Sequence, residues 1–537
     1  MQHFTVVFKP DGKRIVVHAG ASLLEAASKA GIILNTVCGG KGTCKKCAVN
    51  LDPHGRQVLA CQYRIEHDLV VTVPAASRFF EQRILTEGVE ARGRIEPDLY
   101  KEYRKADRTG TVLGVAVDIG TTTVVAKLID MTGGKCLATQ AALNPQSRFG
   151  DDVISRISYA QTEAKLAQLH AAMIDCINQL IGRLCRQASM DANHIYEVCI
   201  VGNTTMNHFF LKLPVVQLGQ APYRAFSLDA HDVTAGELGL KINPAGNIHT
   251  VENIAGFVGA DTVAVALAVD IDSAEDVTLA VDIGTNGEVV LGTKEKLYAA
   301  SCAAGPAFEG ARITCGSRAV DGAIQGVVVN EDDIDLDVIG NSPPRSICGS
   351  GLVDALAVLL NLGIVDPSGR FADHRTLAGK LPPAIAARVT DQDGQLSFRL
   401  DTEIRAGNVN ERPVILTQKD IREVQLAKGA IRTGIKMLQK KLGLEDADIQ
   451  QVLLAGAFGN YIRPQSALRI GLLPAVPLER IHFVGNAAAS GAQMILLSRL
   501  CREKARELAR KIEYVEIAHE PDFQDVFAES MMFHILA

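Results

Sequence analysis

The stretch Leu279 to Glu288, LAVDIGTNGE, decides how the rest of the chain is interpreted. Four apolar residues and an aspartate run into Gly284, a pattern typical of a buried strand that ends in a tight polar turn. Glycine lets the backbone approach a phosphate closely, and Thr285 and Asn286 can donate hydrogen bonds to it. Asp282 can hold Mg²⁺ through water. Because such a turn is more often only a hairpin, this stretch alone does not establish a nucleotide site.

The same phrase occurs earlier, as GVAVDIGTTT from Gly114 to Thr123. In this copy Asp118 corresponds to Asp282, and Gly120, Thr121 and Thr122 form the turn. Two copies of V-D-I-G-T, each ending an apolar run, predict a duplicated fold with two facing phosphate loops. The repetition therefore favours a nucleotide site over a simple hairpin.

Composition narrows the class of protein. The chain has 537 residues, too many for one hydrophobic core, which predicts roughly two to four domains. A net charge of -6 gives no general attraction to nucleic acid or to an anionic membrane. The N-terminal residues lack the features of a signal peptide, and no apolar run reaches the length of a membrane span. We expect a cytoplasmic protein that binds neither nucleic acid nor membrane.

Four of the twelve cysteines are clustered. Cys38, Cys44 and Cys47 share one glycine-rich loop, and Cys61 follows the next predicted strand. This arrangement matches the plant-type ferredoxin pattern for a [2Fe–2S] cluster, with one extra residue in the first gap. A structural zinc knuckle on Cys44 and Cys47 is the alternative, but zinc sites usually use two separated pairs of cysteines. The spacing therefore favours the iron–sulfur cluster.

The residues before this loop predict a β-β-α unit. Strands are expected at His3 to Phe8 and at Arg14 to His18, followed by a short helix capped by Ser22. The unit and its Cys-x5-Cys-x2-Cys loop resemble β-grasp ferredoxin domains of the adrenodoxin type. Residues 1–75 are accordingly predicted to form a [2Fe–2S] domain, and the charged residues 76–110 to form a linker.

After the first phosphate loop, apolar and helical segments alternate, which is typical of α/β architecture. Helices are predicted at Asp151 to Cys185, from Thr417 onward, and at Leu497 to Ile512. Asp261 either lies near the nucleotide or caps the helix that follows it, and Asn486 is expected to open another helix.

A third buried strand, VLLAGAFG at Val452 to Gly459, ends in Gly456 and Gly459. The order DIGTT, DIGTNGE, LAGAFG is similar to the phosphate-1, phosphate-2 and adenosine motifs of the acetate and sugar kinase, Hsp70 and actin superfamily. With the N-terminal [2Fe–2S] domain, and with VGNTTM, GFVGADT and AAGPAFEGA, the chain resembles the ATP-dependent reductive activators of corrinoid enzymes. For Gly456 and Gly459 themselves, a structural turn is the simpler interpretation.

The resemblance implies an α/β fold in which a β-grasp ferredoxin domain precedes a duplicated actin-like (ribonuclease H-like) two-lobe ATPase. The lobes are expected at 111–275 and 276–537. The implied activity is one-electron reduction of Co(II) to Co(I) in a corrinoid protein of a methyltransferase system, driven by Mg-ATP. The implied partners are that corrinoid protein, an upstream electron donor and a second copy of the chain in a homodimer.

The implied site residues fall into three groups. The cluster ligands are Cys38, Cys44, Cys47 and Cys61. The phosphate and adenosine contacts are Gly120, Thr121, Thr122, Gly284, Thr285, Asn286, Gly456 and Gly459. Asp118 and Asp282 organise Mg²⁺, and Glu288 either positions the attacking water or is only a surface or capping residue.

Three other functions remain open at this point. An activator of a radical acyl-CoA dehydratase or reductase shares the ATPase fold but carries a [4Fe–4S] cluster between subunits. A small-molecule kinase fused to a ferredoxin would need a general base, for which Asp261 and Glu288 are the candidates. A redox-sensing adaptor would bind ATP only to change shape.

Overall fold

The structure is a computed structural model. It describes residues 3–10, 12–30, 32, 34, 47–53, 55–74, 77, 95–97, 111–150, 152–284, 286–373, 377, 379–392, 394–401, 413–456 and 462–533. The predicted ligands Cys38 and Cys44, the predicted phosphate and adenosine contacts Thr285 and Gly459, and most of the linker 76–110 lie outside these residues.

The N-terminal domain is a five-stranded sheet with one helix. Its elements are β1 (His3–Lys9), β2 (Lys13–His18), α1 (Leu23–Lys29), β3 (Ala48–Leu51), β4 (Arg56–Leu59) and β5 (Leu69–Thr72). The strand order is β2-β1-β5-β3-β4, with β1 parallel to β5. Ser22 Oγ accepts a hydrogen bond from the Glu25 amide at 3.1 Å, which confirms the predicted helix start.

The next residues form a lobe around a six-stranded sheet of order β10-β11-β9-β6-β7-β8. Its elements are β6 (Leu113–Ile119), β7 (Thr123–Asp130), β8 (Cys136–Leu143), α2 (Val153–Tyr159), α3 (Glu163–Ala188), β9 (Ile195–Gly202), α4 (Thr204–Leu211), β10 (His231–Thr234), α5 (Ala235–Leu238), β11 (Asn247–Thr250) and α6 (Ala260–Ala268). The single helix predicted at Asp151 to Cys185 is in fact two. The first helix ends at Tyr159, and Thr162 caps the second helix by accepting a hydrogen bond from the Lys165 amide at 3.4 Å.

The remaining residues form a second lobe, whose main sheet has the order β22-β21-β12-β13-β14-β23. Its elements are β12 (Thr278–Ile283), β13 (Gly287–Gly292), β14 (Leu297–Cys302), β15 (Ala323–Val329), β16 (Ile334–Val338), β17 (Ser346–Ile347), α7 (Gly349–Asn361), α8 (Pro383–Arg388), β18 (Val389–Gln392), β19 (Gln395–Arg399), β20 (Ile415–Thr417), α9 (Gln418–Leu442), β21 (Gln451–Ala455), α10 (Pro464–Arg469), β22 (Ile481–Gly485), α11 (Ala487–Leu497), α12 (Arg499–Lys511), β23 (Ile512–Tyr514) and α13 (Phe523–Met531). A capping box between Thr417 and Asp420 starts α9, as the sequence predicts. Within the described ranges, no helix combines the length and the hydrophobicity needed to cross a membrane.

The two large sheets share one core pattern, which confirms the duplication. In the first, β11 runs parallel to β9 and β9 parallel to β6, while β6-β7 and β7-β8 are antiparallel. In the second, β22, β21 and β12 are likewise parallel neighbours, and β12-β13 and β13-β14 are antiparallel. Each V-D-I-G-T motif therefore occupies the corresponding central strand of its sheet and leads into a hairpin turn.

Helices α6 and α11 lie between the two sheets. One hydrophobic core joins them to Ala116 of β6 and Ala280 of β12, while the odd-numbered residues of both strands pack into separate cores on the outer faces. The two helices touch closely: a Cβ on Gly491 would lie 2.1 Å from the Ala264 carbonyl oxygen. The inner faces of the two sheets are thus held together through small residues on a pair of helices.

Candidate functional site

The first phosphate loop is the hairpin turn between β6 and β7. The Gly120 amide donates to the Thr123 carbonyl at 3.0 Å, and a Cβ at Gly120 would lie 2.7 Å from that oxygen, so the turn requires glycine. Two asparagines hold the loop: Asn144 Nδ2 donates to the Gly120 carbonyl at 2.8 Å, and Asn203 Nδ2 donates to Thr121 Oγ1 at 3.1 Å. Sequence reasoning singled out neither asparagine individually, although Asn203 lies within the VGNTTM stretch.

The second phosphate loop is the corresponding turn between β12 and β13, where the Gly284 amide donates to the Asn286 carbonyl at 3.1 Å. Gly456 lies beside it, at the end of β21. Its φ of +87° favours glycine, and a Cβ there would be 2.4 Å from Asp282 Oδ1. Gly456 therefore supports the Asp282 carboxylate directly, a role that the sequence did not suggest.

Four carboxylates converge in the cleft between the sheets, and we call Asp118, Asp261, Asp282 and Glu288 the acid cluster. Because side chains alternate along a strand, Asp118 and Asp282 share the inner face with α6 and α11. Glu288 is the direct partner of Asp282 in the β12-β13 ladder. Asp261 lies in the first turn of α6, where its Oδ1 accepts a hydrogen bond from the Thr262 amide at 2.8 Å, although Gly259 and not Asp261 is the N-cap. Asp261 therefore both bonds the start of the helix and faces the other carboxylates.

The pKa values of the acid cluster reflect its crowding. Burial raises the pKa of Asp118 to about 6, although a hydrogen bond from Asn486 lowers it. Burial, with the charges of its neighbours, raises the pKa of Asp261 and of Asp282 to about 7 each. Burial first, then Asp261 and Asp282, raises the pKa of Glu288 well above its ordinary value. A divalent cation would relieve this repulsion.

The acid cluster suits a hydrated metal ion better than a directly bound one. Among the described residues, no three His, Cys, Asp or Glu side chains converge closely enough to hold a metal ion by themselves. Mg²⁺ keeps several of its waters when it binds and uses few carboxylates directly. The chemistry of the cluster therefore fits Mg²⁺ held largely through water and through the phosphates of a nucleotide.

Three polar contacts cross the cleft near the phosphate loops. Asn486 Nδ2 donates to Asp118 Oδ2 at 3.1 Å, and Thr122 Oγ1 donates to Glu309 Oε2 at 3.2 Å. Deeper between the sheets, Lys127 Nζ lies 3.5 Å from a hydroxyl on α11. Glu309 belongs to a turn whose neighbour Phe308 is buried in the core of the second lobe. The second lobe thus bonds the first phosphate loop at Thr122 and the strand that leads into it at Asp118.

Two of the four predicted cluster ligands are described, and the fold brings them together. Cys47 precedes β3 and Cys61 follows β4, and the antiparallel register of these strands places the two cysteines side by side. Their Sγ atoms are 3.3 Å apart, and the residues are 1% and 8% exposed. This separation exceeds a disulfide bond of about 2.05 Å. The paired, buried thiols fit two ligands of one metal centre.

Comparison with protein families divides the chain into three matches. Residues 4–75 match the 2Fe-2S iron-sulfur cluster binding domain. Residues 113–274 match the RACo middle region, and residues 276–536 match the C-terminal domain of RACo, the ASKHA domain. The N-terminal match supports an iron–sulfur domain, and the C-terminal match supports an ATPase fold.

Named relatives match over nearly the whole length. A corrinoid activation enzyme, RamQ, from Eubacterium limosum is 34% identical over 98% of this chain and 99% of its own. A solved structure of a reductive activator for corrinoid,iron-sulfur protein is 32% identical with a TM-score of 0.72, covering 99% of this chain and 98% of its own. A [Co(II) methylated amine-specific corrinoid protein] reductase from Methanosarcina barkeri is 24% identical over 74% of this chain and 72% of its own.

Proposed function

This chain belongs to the family of reductive activators of corrinoid proteins, and we propose that it uses ATP to reduce the Co(II) of a corrinoid protein to Co(I). The observation that carries the proposal is the end-to-end match with a corrinoid activation enzyme, which spans both the ferredoxin domain and the ATPase lobes. We keep the proposed division into a ferredoxin domain (1–75), a linker (76–110) and two lobes (111–275 and 276–537).

We assign Cys47 and Cys61, with Cys38 and Cys44, as the ligands of a [2Fe–2S] cluster, which supplies one electron at a time. The buried Cys47–Cys61 pair supports the assignment, because burial limits the access of water and oxidants to the thiolates. Once bound by these cysteines, the cluster would supply one electron to the Co(II) substrate, and an upstream donor of unassigned identity would reduce it again.

The nucleotide assignment uses the two hairpin turns and the acid cluster. We propose that Asp118 and Asp282 hold Mg²⁺ through water, and that Glu288 orients the attacking water. The backbone and hydroxyls assigned to the phosphates are those of Gly120, Thr121, Thr122, Gly284, Thr285 and Asn286. Gly456 and Gly459 would border the adenosine. Because Gly456 also packs closely on Asp282, it would contribute to metal binding as well as to adenosine binding.

ATP is needed because the electron moves uphill. Plant-type clusters have potentials of about -400 mV. We propose, from the resemblance to the corrinoid activators, that the Co(II) to Co(I) couple lies at a more negative potential. For one electron, each 59 mV or so of deficit is a factor of ten in the equilibrium constant. Binding and hydrolysis of ATP between the lobes can offset that deficit if the nucleotide favours one arrangement of the two sheets over another.

The proposed partners follow from the same family. They are a corrinoid protein as the electron acceptor, an upstream electron donor and a second copy of this chain in a homodimer. We also propose a cytoplasmic location for the reaction.

The decisive experiment is anaerobic spectroscopy of a Co(II) corrinoid protein mixed with this chain and a chemical reductant. We expect the Co(I) absorption band only when Mg-ATP is present. Cys61→Ser and Asp282→Asn should each abolish it, whereas Cys136→Ser and Asp175→Asn, which replace exposed residues outside the site, should not. A cluster that reduces normally while Co(II) persists with ATP would reject the proposal. An EPR spectrum of a [4Fe–4S] centre would instead favour the acyl-CoA dehydratase activator.

A further inference from the structure

Asn486 is bonded at both ends of its side-chain amide. Its Oδ1 accepts a hydrogen bond from the Ala489 amide at 2.8 Å, which makes Asn486 the N-cap of α11. Its Nδ2 donates to Asp118 Oδ2 at 3.1 Å. Because the cap requires an acceptor on the helix side, the amide can present only its donor to Asp118. The orientation of the amide is therefore fixed by the helix that it caps.

The position of Asn486 connects both halves of the site. It follows β22, which pairs with β21, and β21 leads into Gly456 against the Asp282 carboxylate. It also begins α11, which packs against the inner face of the first sheet. A displacement of α11 relative to the first sheet would thus be transmitted to Asp118 through one hydrogen bond.

We propose that Asn486 is a positioning residue that holds the Asp118 carboxylate for the hydrated metal of Mg-ATP. The Asp118 side of the metal site is then complete only when α11 packs against the first sheet. The inference rests on the proposed function, because Asp118 is taken as a metal-organising residue. Within the described ranges, Asn486 is the one side chain that hydrogen-bonds the Asp118 carboxylate. With Oδ2 held by the amide, Oδ1 is left for metal-bound water.

A purely structural role as helix cap makes a different prediction. Serine also caps helices well, but its side chain is too short to bond both the Ala489 amide and Asp118. Asn486→Ser therefore keeps the cap and loses the contact with Asp118, whereas Asn486→Ala loses both. Gln493→Met is a matched control: Gln493 lies on the same helix and faces the same lobe, but bonds the distant Gly134 carbonyl at 3.5 Å.

The test uses the full chain and Mn²⁺ as a paramagnetic substitute for Mg²⁺. Binding of Mn²⁺ in the presence of a non-hydrolysable ATP analogue is measured by EPR, and thermal unfolding is measured without metal. We expect Mn²⁺ affinity to fall about tenfold or more in both Asn486 variants, since hydrogen bonds to charged groups contribute on that scale. Only Asn486→Ala should also lower the unfolding temperature, and Gln493→Met should bind Mn²⁺ like the wild type.

The outcomes distinguish the positioning role of Asn486 from the proposed function. Wild-type affinity in Asn486→Ser would overturn the positioning role while leaving the nucleotide site intact. Failure of the wild type to bind Mn²⁺ with the analogue would instead overturn the proposed function, and the positioning role with it. Loss of affinity in Gln493→Met as well would show that any change in α11 disturbs the site, which would also reject a specific role for Asn486.

Discussion

At pH 8 and without divalent metal, Asp282→Asn is expected to stabilise the protein while it abolishes activity. Asp282 shares the cleft with Asp118 and faces Glu288 across the β12-β13 hairpin. Burial, followed by the charge of Asp118, raises its pKa to about 7. The ionised side chain therefore destabilises the metal-free fold at pH 8, and an uncharged amide of the same shape does not.

The magnitude follows from the change in pKa. A rise from 3.8 to about 7 is roughly three units, or about 4 kcal/mol at 1.36 kcal/mol per unit, as an upper bound. Partial access of cleft water to Asp282 reduces this, and we expect about 1 to 3 kcal/mol. The folded protein holds this proton more tightly than the unfolded chain, so the wild type loses stability as the pH rises from about 4 to about 7. The advantage of Asp282→Asn should grow over that range and then stay constant.

The assay is thermal unfolding in EDTA at pH 5 and pH 8, with about 2 to 4 °C expected per kcal/mol for a lobe of this size. Asp232→Asn is the matched control, because the hydrogen bond with His249 lowers the pKa of Asp232 and makes its charge favourable. That variant should be destabilised. If Asp282→Asn also unfolds at a lower temperature at pH 8, or gains equally at both pH values, the crowding of the acid cluster has been misjudged.

Three further predictions follow from contacts in and around the cleft. Mg²⁺ affinity should increase from pH 5 to pH 8, because protons compete for carboxylates with pKa values near 6 to 7; calorimetric titration at several pH values checks this. Gly456→Ala should abolish ATP hydrolysis without altering the visible spectrum of the cluster, because its Cβ would lie 2.4 Å from Asp282 Oδ1. Arg502→Met should cost about 3 to 5 kcal/mol in urea unfolding because it leaves Glu197 buried without its cation, and adding Glu197→Gln should recover most of that loss.

Local pattern predicted the α/β class and the duplication, whereas the β-grasp and two-lobe actin-like architecture came from the family resemblance. The repeated V-D-I-G-T motif predicted two equivalent strand-and-hairpin units, and the two sheets do share their central pattern of parallel and antiparallel strands. Helix starts were predictable where a capping residue precedes the helix, as at Ser22 and Thr417. The break after Tyr159 was missed because apolar residues at helical spacing continue on both sides of it.

The site was harder to predict from the sequence than the fold was, because its side chains come from segments far apart in the chain. Asn486 and Asp118 are 368 positions apart, and Thr122 and Glu309 are 187 apart. Their contacts exist only because α6 and α11 hold the two inner sheet faces together. A sequence pattern records which face of a strand is apolar, but not which other segment will cover that face.

One difference between the two hairpins could not be read from the repeat at all. Asp282 pairs with Glu288, but Asp118 pairs with Val125, so the first turn is one residue longer than the second. A slip of one residue moves a side chain to the other face of the sheet. Val124, which aligns with Glu288 in the motif, therefore packs into the outer core, and Lys127 faces the cleft instead. The duplicated halves are consequently not equivalent: the first offers the cleft a cation beside its aspartate, and the second offers a second acid. A hydrated metal ion should for that reason lie closer to β12 and β13 than to β6 and β7.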